Sequence, residues 1–140
     1  MARTTFSGPV RSQNGFIDGH EVASANAINA TATATAAQVA TGYITSTSAA
    51  ATTIILPTGT LLGAALSATQ GTVFDLYIDN TAGSNTVTVA VATANGILST
   101  AADDAAGSFG DLTIAAGPTG IGRFTIMFSS ATAYVFTRTA

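Results

Sequence analysis

Residues 73–91, VFDLYIDNTAGSNTVTVAV, constrain the fold more than any other stretch of the chain. Phe74, Leu76 and Ile78 alternate with Asp75, Tyr77 and Asp79, the period of a β-strand with one buried face. A cluster of turn formers follows at 80–85, with Gly83 inside it. Val87, Val89 and Val91 then alternate with Thr86, Thr88 and Ala90. The pattern predicts two strands joined by a turn, a central hairpin. A hairpin is marginal alone, so its large apolar row needs a second apolar surface. The end of the chain supplies one. Phe124, Ile126 and Phe128 alternate with Thr125 and Met127, and Tyr134 and Phe136 return after a turn at 130–132.

Weaker strand signals flank these. Residues 39–45 alternate around Ile44, and the β-branched run 52–56 is stopped by Pro57. A short strand is expected at 112–115 and a brief one at 97–98. Leu61, Leu62, Ala65 and Leu66 fall at helical spacing, which predicts one short helix over 60–68, capped by Thr58 or Thr60 and closed at Gly71. Seven or eight short strands with one helix predict an all-β fold: an antiparallel β-sandwich, jelly-roll-like. The expected core is Ile44, Ile54, Leu56, Leu62, Leu66, Phe74, Leu76, Ile78, Val87, Val89, Leu112, Ile114, Phe124, Ile126, Phe128, Tyr134 and Phe136.

Residues 1–36 differ. Phe6, Val10, Phe16, Ile17, Val22 and Ile28 are widely spaced, and Gly-Pro, Asn-Gly and Asp-Gly pairs interrupt them. The run 30–36 alternates Ala and Thr, which suits an extended chain but buries little area. The reading is an extended N-terminal arm, 1–36, followed by a β-sandwich domain, 37–140. The arm's contact residues are expected to be Arg3, Phe6, Val10, Arg11, Phe16 and Ile17.

Charge excludes several functions. Only 8% of the 140 residues are charged, there is no Lys, and the net charge is −3. Nucleic-acid binding needs a basic patch, so it is not expected. With no Cys, neither a disulfide nor a thiolate metal site can form. The opening MARTTFSGPV lacks the apolar core of a signal peptide, and the apolar run 61–66 is far shorter than a membrane span. A surface of small neutral side chains can pack against a neighbour with little desolvation of charge.

Catalytic and metal chemistry finds little support. His20, the sole histidine, has Asp18 and Glu21 nearby but lies in the arm, away from any folded pocket. Asp103, Asp104 and Asp111 lie in or beside one Gly-containing loop and could offer oxygen ligands to calcium, yet their spacing fits no calcium-loop motif. Asp75 and Asp79 alternate with the core row, which puts them on the outward face; Asp79 could equally open the turn. The Gly-rich run at 117–122 has no Lys and reads as a turn. Tyr43, Tyr77 and Tyr134 could form a sugar platform or pack in sheets and interfaces. No catalytic residue, cofactor or metal is expected.

The opening TFSGPVRSQNGF resembles the small head-decoration, or cement, proteins of tailed bacteriophages. So do TTIILPTGTLLGAAL, FDLYIDNTAGSNTVTVA and the closing FTIMFSSATAYVF. The resemblance implies a virion structural protein on the outer capsid surface, bound to the major capsid protein, forming a homotrimer, and clamping neighbouring subunits with its terminal arm. Two other readings stand beside it: a carbohydrate-binding or adhesin-like β-sandwich of a tail fibre or cell-surface structure, and, more weakly, a hydrolase on a β scaffold.

Overall fold

The computed structural model describes residues 26–91 and 112–140. In chain order these form β1 (Ala32–Thr33), α1 (Ala36–Ala40), β2 (Tyr43–Thr45), β3 (Thr52–Leu56), α2 (Gly59–Leu66), β4 (Val73–Asp79), β5 (Val87–Val91), β6 (Thr113–Ile114), β7 (Ile121–Ser130) and β8 (Ala133–Arg138). The fold is β-rich, as the alternation requires. The strands make two four-stranded sheets, ordered β1-β3-β5-β6 and β2-β4-β7-β8.

Both sheets are mixed, which corrects the antiparallel, jelly-roll-like expectation. β1 pairs with β3, β3 with β5, and β2 with β4, all in parallel. Only β4–β7, β7–β8 and β5–β6 are antiparallel. The cause is the route of the chain. It crosses from one sheet to the other at nearly every turn, so neighbours within a sheet are alternate strands running the same way. The expected central hairpin is therefore a β-arch: β4 and β5 exist where the alternation puts them, but they lie in different sheets.

The arches stack. Ala27 bridges Thr45 on one sheet while β1 pairs with β3 on the other. The turn after β2 lies on the turn after β4: Ser84 donates its N–H to Ser48 O at 3.2 Å, and Asn85 Nδ2 donates to Ala49 O. The turn before β1 lies on the other side, where Asn29 Oδ1 accepts from Thr47 N at 2.8 Å. Asn80 pins the β4–β5 arch. Its buried amide donates to the carbonyl oxygens of Asn85, Ile114 and Ala115, tying the turn to β6.

Two helices, not one, return the chain between sheets. α2 begins one residue earlier than expected, with Thr58 as its cap, and ends at Ser67 in the left-handed conformation (φ 50°) instead of at Gly71. α1 replaces the first part of the expected 39–45 strand. Its signal is a capping box: Thr35 Oγ1 accepts from Gln38 N, and Gln38 Oε1 accepts from Thr35 N. Both helices direct an apolar residue inward, Val39 from α1 and Leu62 from α2.

One core serves both sheets. Every residue of the expected core belongs to it, although Leu66, Phe74 and Leu112 are only partly buried. Phe124 packs near Phe136, with ring centroids 6.2 Å apart, and Phe128 near Tyr134 at 5.7 Å. Ile28 and Ala34 are buried in the same cluster. Residues 26–36 are thus built into the packed body, which begins ahead of the boundary expected at 37. Two side chains are too small or too isolated in sequence to announce that packing. Asn26 holds the entry, its amide donating to Gln38 O, Thr41 Oγ1 and Tyr43 O.

Candidate functional site

The outward face of the β2-β4-β7-β8 sheet carries the exposed chemistry of the body. Strand alternation puts Val73, Asp75, Tyr77 and Asp79 of β4 there, opposite Met127, Thr125, Arg123 and Ile121 of β7. Tyr43 of β2 lies directly beside Tyr77. Both tyrosines are about 40% exposed, and Val73, Ile121 and Met127 rather more.

The polar groups on this face form two sets of contacts that fix the rings. Arg123 pairs with Asp75 through Nη2 at 2.5 Å and Nε at 3.2 Å, and Thr125 Oγ1 donates to the other carboxylate oxygen at 2.7 Å. The same guanidinium lies 5.9 Å from the centre of the Tyr77 ring, a cation–π contact. Tyr43 donates its hydroxyl to Asp79 Oδ2 at 2.7 Å, while Thr81 donates N–H and O–H to Oδ1. These contacts set the acidities. The Arg123 bond, helped by Thr125, holds Asp75 below the usual carboxylate range. The Tyr43 hydroxyl bond, helped by Thr81, does the same for Asp79. In return the Asp79 carboxylate raises Tyr43.

A slot of about 570 Å³ opens beside this network. It exists because β2 is short. β2 covers β4 only at Tyr77, Ile78 and Asp79, so Val73 to Leu76 have no strand on that side among the described residues. Thr41, Gly42 and Tyr43 form one wall, and Val73, Asp75 and Tyr77 the other. Tyr77 N–H, the last to be paired on this edge among the described residues, donates to Gly42 O at 2.8 Å. Two residues back, the N–H and C=O of Asp75 face the same side by the alternation of the strand. Phe74 belongs to the core row, is half-buried, and lines the slot.

The residues singled out in the sequence divide sharply. Arg3, Phe6, Val10, Arg11, Phe16 and Ile17 lie outside the described residues, as do His20, Asp103, Asp104 and Asp111. Of the three tyrosines, Tyr43 and Tyr77 come together and Tyr134 does not. It is fully buried, donates its hydroxyl to Pro57 O at 2.8 Å, and has its acidity suppressed by burial. Asp75 lies on the outward face as expected, and Asp79 both lies there and opens the turn. Arg123 gave no signal, since its meeting with Asp75 depends on the β4–β7 register. Among the described residues no cluster of three His, Cys, Asp or Glu could hold a metal ion. The chain matches no protein-family model, no curated protein and no solved structure.

Proposed function

We propose that this chain is a non-enzymatic virion structural protein that decorates and stabilises the outer surface of a phage capsid. The two sheets, sharing one core, are read as the layers of a β-sandwich that forms its body. The observation that carries the proposal is the near-absence of charge on that body. Its described residues include only four charged side chains, Asp75, Asp79, Arg123 and Arg138, and two of these pair with each other. Such a surface can be packed against copies of itself, as a homotrimer, and against a shell, with little cost in stripping water from ions. The likeness of TFSGPVRSQNGF to decoration proteins supports the same reading. Contacts to the major capsid protein are assigned to Arg3, Phe6, Val10, Arg11, Phe16 and Ile17. Each large side chain buried there contributes roughly 1.5–3 kcal/mol.

The test uses the full-length chain carrying Phe6→Ala, Phe16→Ala and Ile17→Ala together. Wild type and variant are added to undecorated shells, and occupancy and the heat resistance of the shells are measured. The expected result is an intact fold with occupancy lost. Full occupancy by the variant would move the attachment to the body. Failure of the wild type to bind any shell would remove the capsid reading itself.

A further inference from the structure

We propose that the slot between Thr41–Tyr43 and Val73–Tyr77 is a binding site for a neutral saccharide, with Tyr43 and Tyr77 as its stacking surfaces. This inference is independent of capsid attachment and stands or falls on its own.

Three features of the slot lead to it. Its volume lies within the range of about 300–1,000 Å³ typical of small-molecule sites. Its walls mix flat aromatic rings with hydrogen-bonding groups: one Asp75 carboxylate edge, and the Asp75 peptide N–H and C=O on a strand edge that no strand covers among the described residues. That mixture suits a ring with apolar C–H faces and a rim of hydroxyls. The aromatic rings are also held in place, Tyr43 through Asp79 and Tyr77 against Arg123, which is itself tied to Asp75. Exposed side chains pinned in this way lose little freedom when a ligand arrives.

Charge then selects the ligand class. Among the described residues Asp75 is the sole ionised lining group, and it is already paired with Arg123. An anion would face that carboxylate with no free cation lining the slot among the described residues. A cation would have to compete with Arg123 for it. A neutral polyol faces neither penalty, and Asp75 keeps acceptor capacity beyond its three bonds. An extended peptide is less suited. β2 and the Thr41–Gly42 turn occupy one end, leaving among the described residues an edge of four residues, 73–76, for a strand to pair with.

The experiment records amide shifts of the full-length protein by NMR as methyl glucoside, methyl galactoside, methyl mannoside and maltose are added at millimolar concentrations. Between them the probes present axial and equatorial hydroxyls on a shared C–H face. The expected result is saturable shifts at 41–43 and 73–77 with at least one probe. Tyr77→Ala should abolish them while the remaining spectrum stays folded. Met127→Ala, on the same face but outside the slot, should leave them unchanged. The proposal is overturned if no probe shifts these amides, or if Tyr77→Ala binds as wild type. It is equally overturned if a neutral acetylated tetrapeptide shifts them and the saccharides do not, which would make the slot a strand-docking edge.

Discussion

Replacing Asn80 by Ala should be among the most damaging single changes in the body. The side chain is fully buried. Its amide donates at 2.9 Å to Asn85 O, 3.3 Å to Ile114 O and 3.0 Å to Ala115 O, so one group joins the β4–β5 arch to β6. Its two N–H hydrogens are shared among three acceptors; about 1 kcal/mol for each hydrogen donated, with about 1–3 kcal/mol for a buried carbonyl left unpaired, puts the loss at about 3 kcal/mol. Urea denaturation followed by circular dichroism measures it. Asn80→Asp provides a second, pH-dependent readout. Its carboxyl would face three carbonyl oxygens, so its folded-state pKa is raised above the unfolded value of about 3.9. Protonated, it still donates one hydrogen bond; ionised, it repels all three oxygens. Its stability should therefore be closest to wild type below the unfolded value and be lost as pH rises from there through the raised folded value. A loss below about 1 kcal/mol in Asn80→Ala, or an Asn80→Asp variant indifferent to pH, would refute the claim that this amide pins the arch.

Gly63→Ala should destabilise, although Ala is the better helix former by about 1 kcal/mol. A Cβ there would collide with Ala131 O and come within 3.3 Å of the Phe128 ring, so the expected net loss in denaturant titration is about 1–3 kcal/mol; a gain would mean that α2 sits further from the β7–β8 turn. Asp75 and Asp79 both have folded-state pKa values lowered below the unfolded value of 3.8, so their contribution is present above that value and is lost as pH falls through the folded values. The Asp75→Asn, Asp79→Asn double variant should accordingly lose part of the acid-side slope in urea midpoint against pH, and an unchanged slope would show that these contacts do not form in solution.

Strand positions were legible because burial imposes a period of two on the side chains. β3, β4, β5, β7 and β8 fall within a residue or two of the alternating runs, and the β7–β8 hairpin is present with its turn. Partners were not legible, because alternation specifies which face is buried and says nothing of which strand lies alongside. The turn at 80–85 suits a hairpin as well as an arch; the difference lies in Asn80, whose three acceptors come from distant parts of the chain. The same limit hid the site. Tyr77, Asp75 and Asp79 could be assigned to the outward face, but the slot depends on β2 stopping after three residues, and the ion pair on a register 48 residues long. The capping box at Thr35 and Gln38 was readable and marks α1, while the packing of Ile28 and Ala34 rests on neighbours that no local pattern names.

Stacked arches also give the body a direction of growth. The layer containing Ala27 and β1 rests on the layer containing β2 and β3, which rests on that of β4 and β5. The last layer is sealed by the antiparallel strands β6 and β7. The first has no such seal among the described residues, and β1 is the outermost strand of its sheet. Among the described residues each inner layer is clamped from two sides and the first from one, so loosening of this body should start there and travel inward one layer at a time. A chain of this architecture could be lengthened or trimmed by a whole layer at that end while the sealed end kept its shape, much as a stack of plates changes height only from the top.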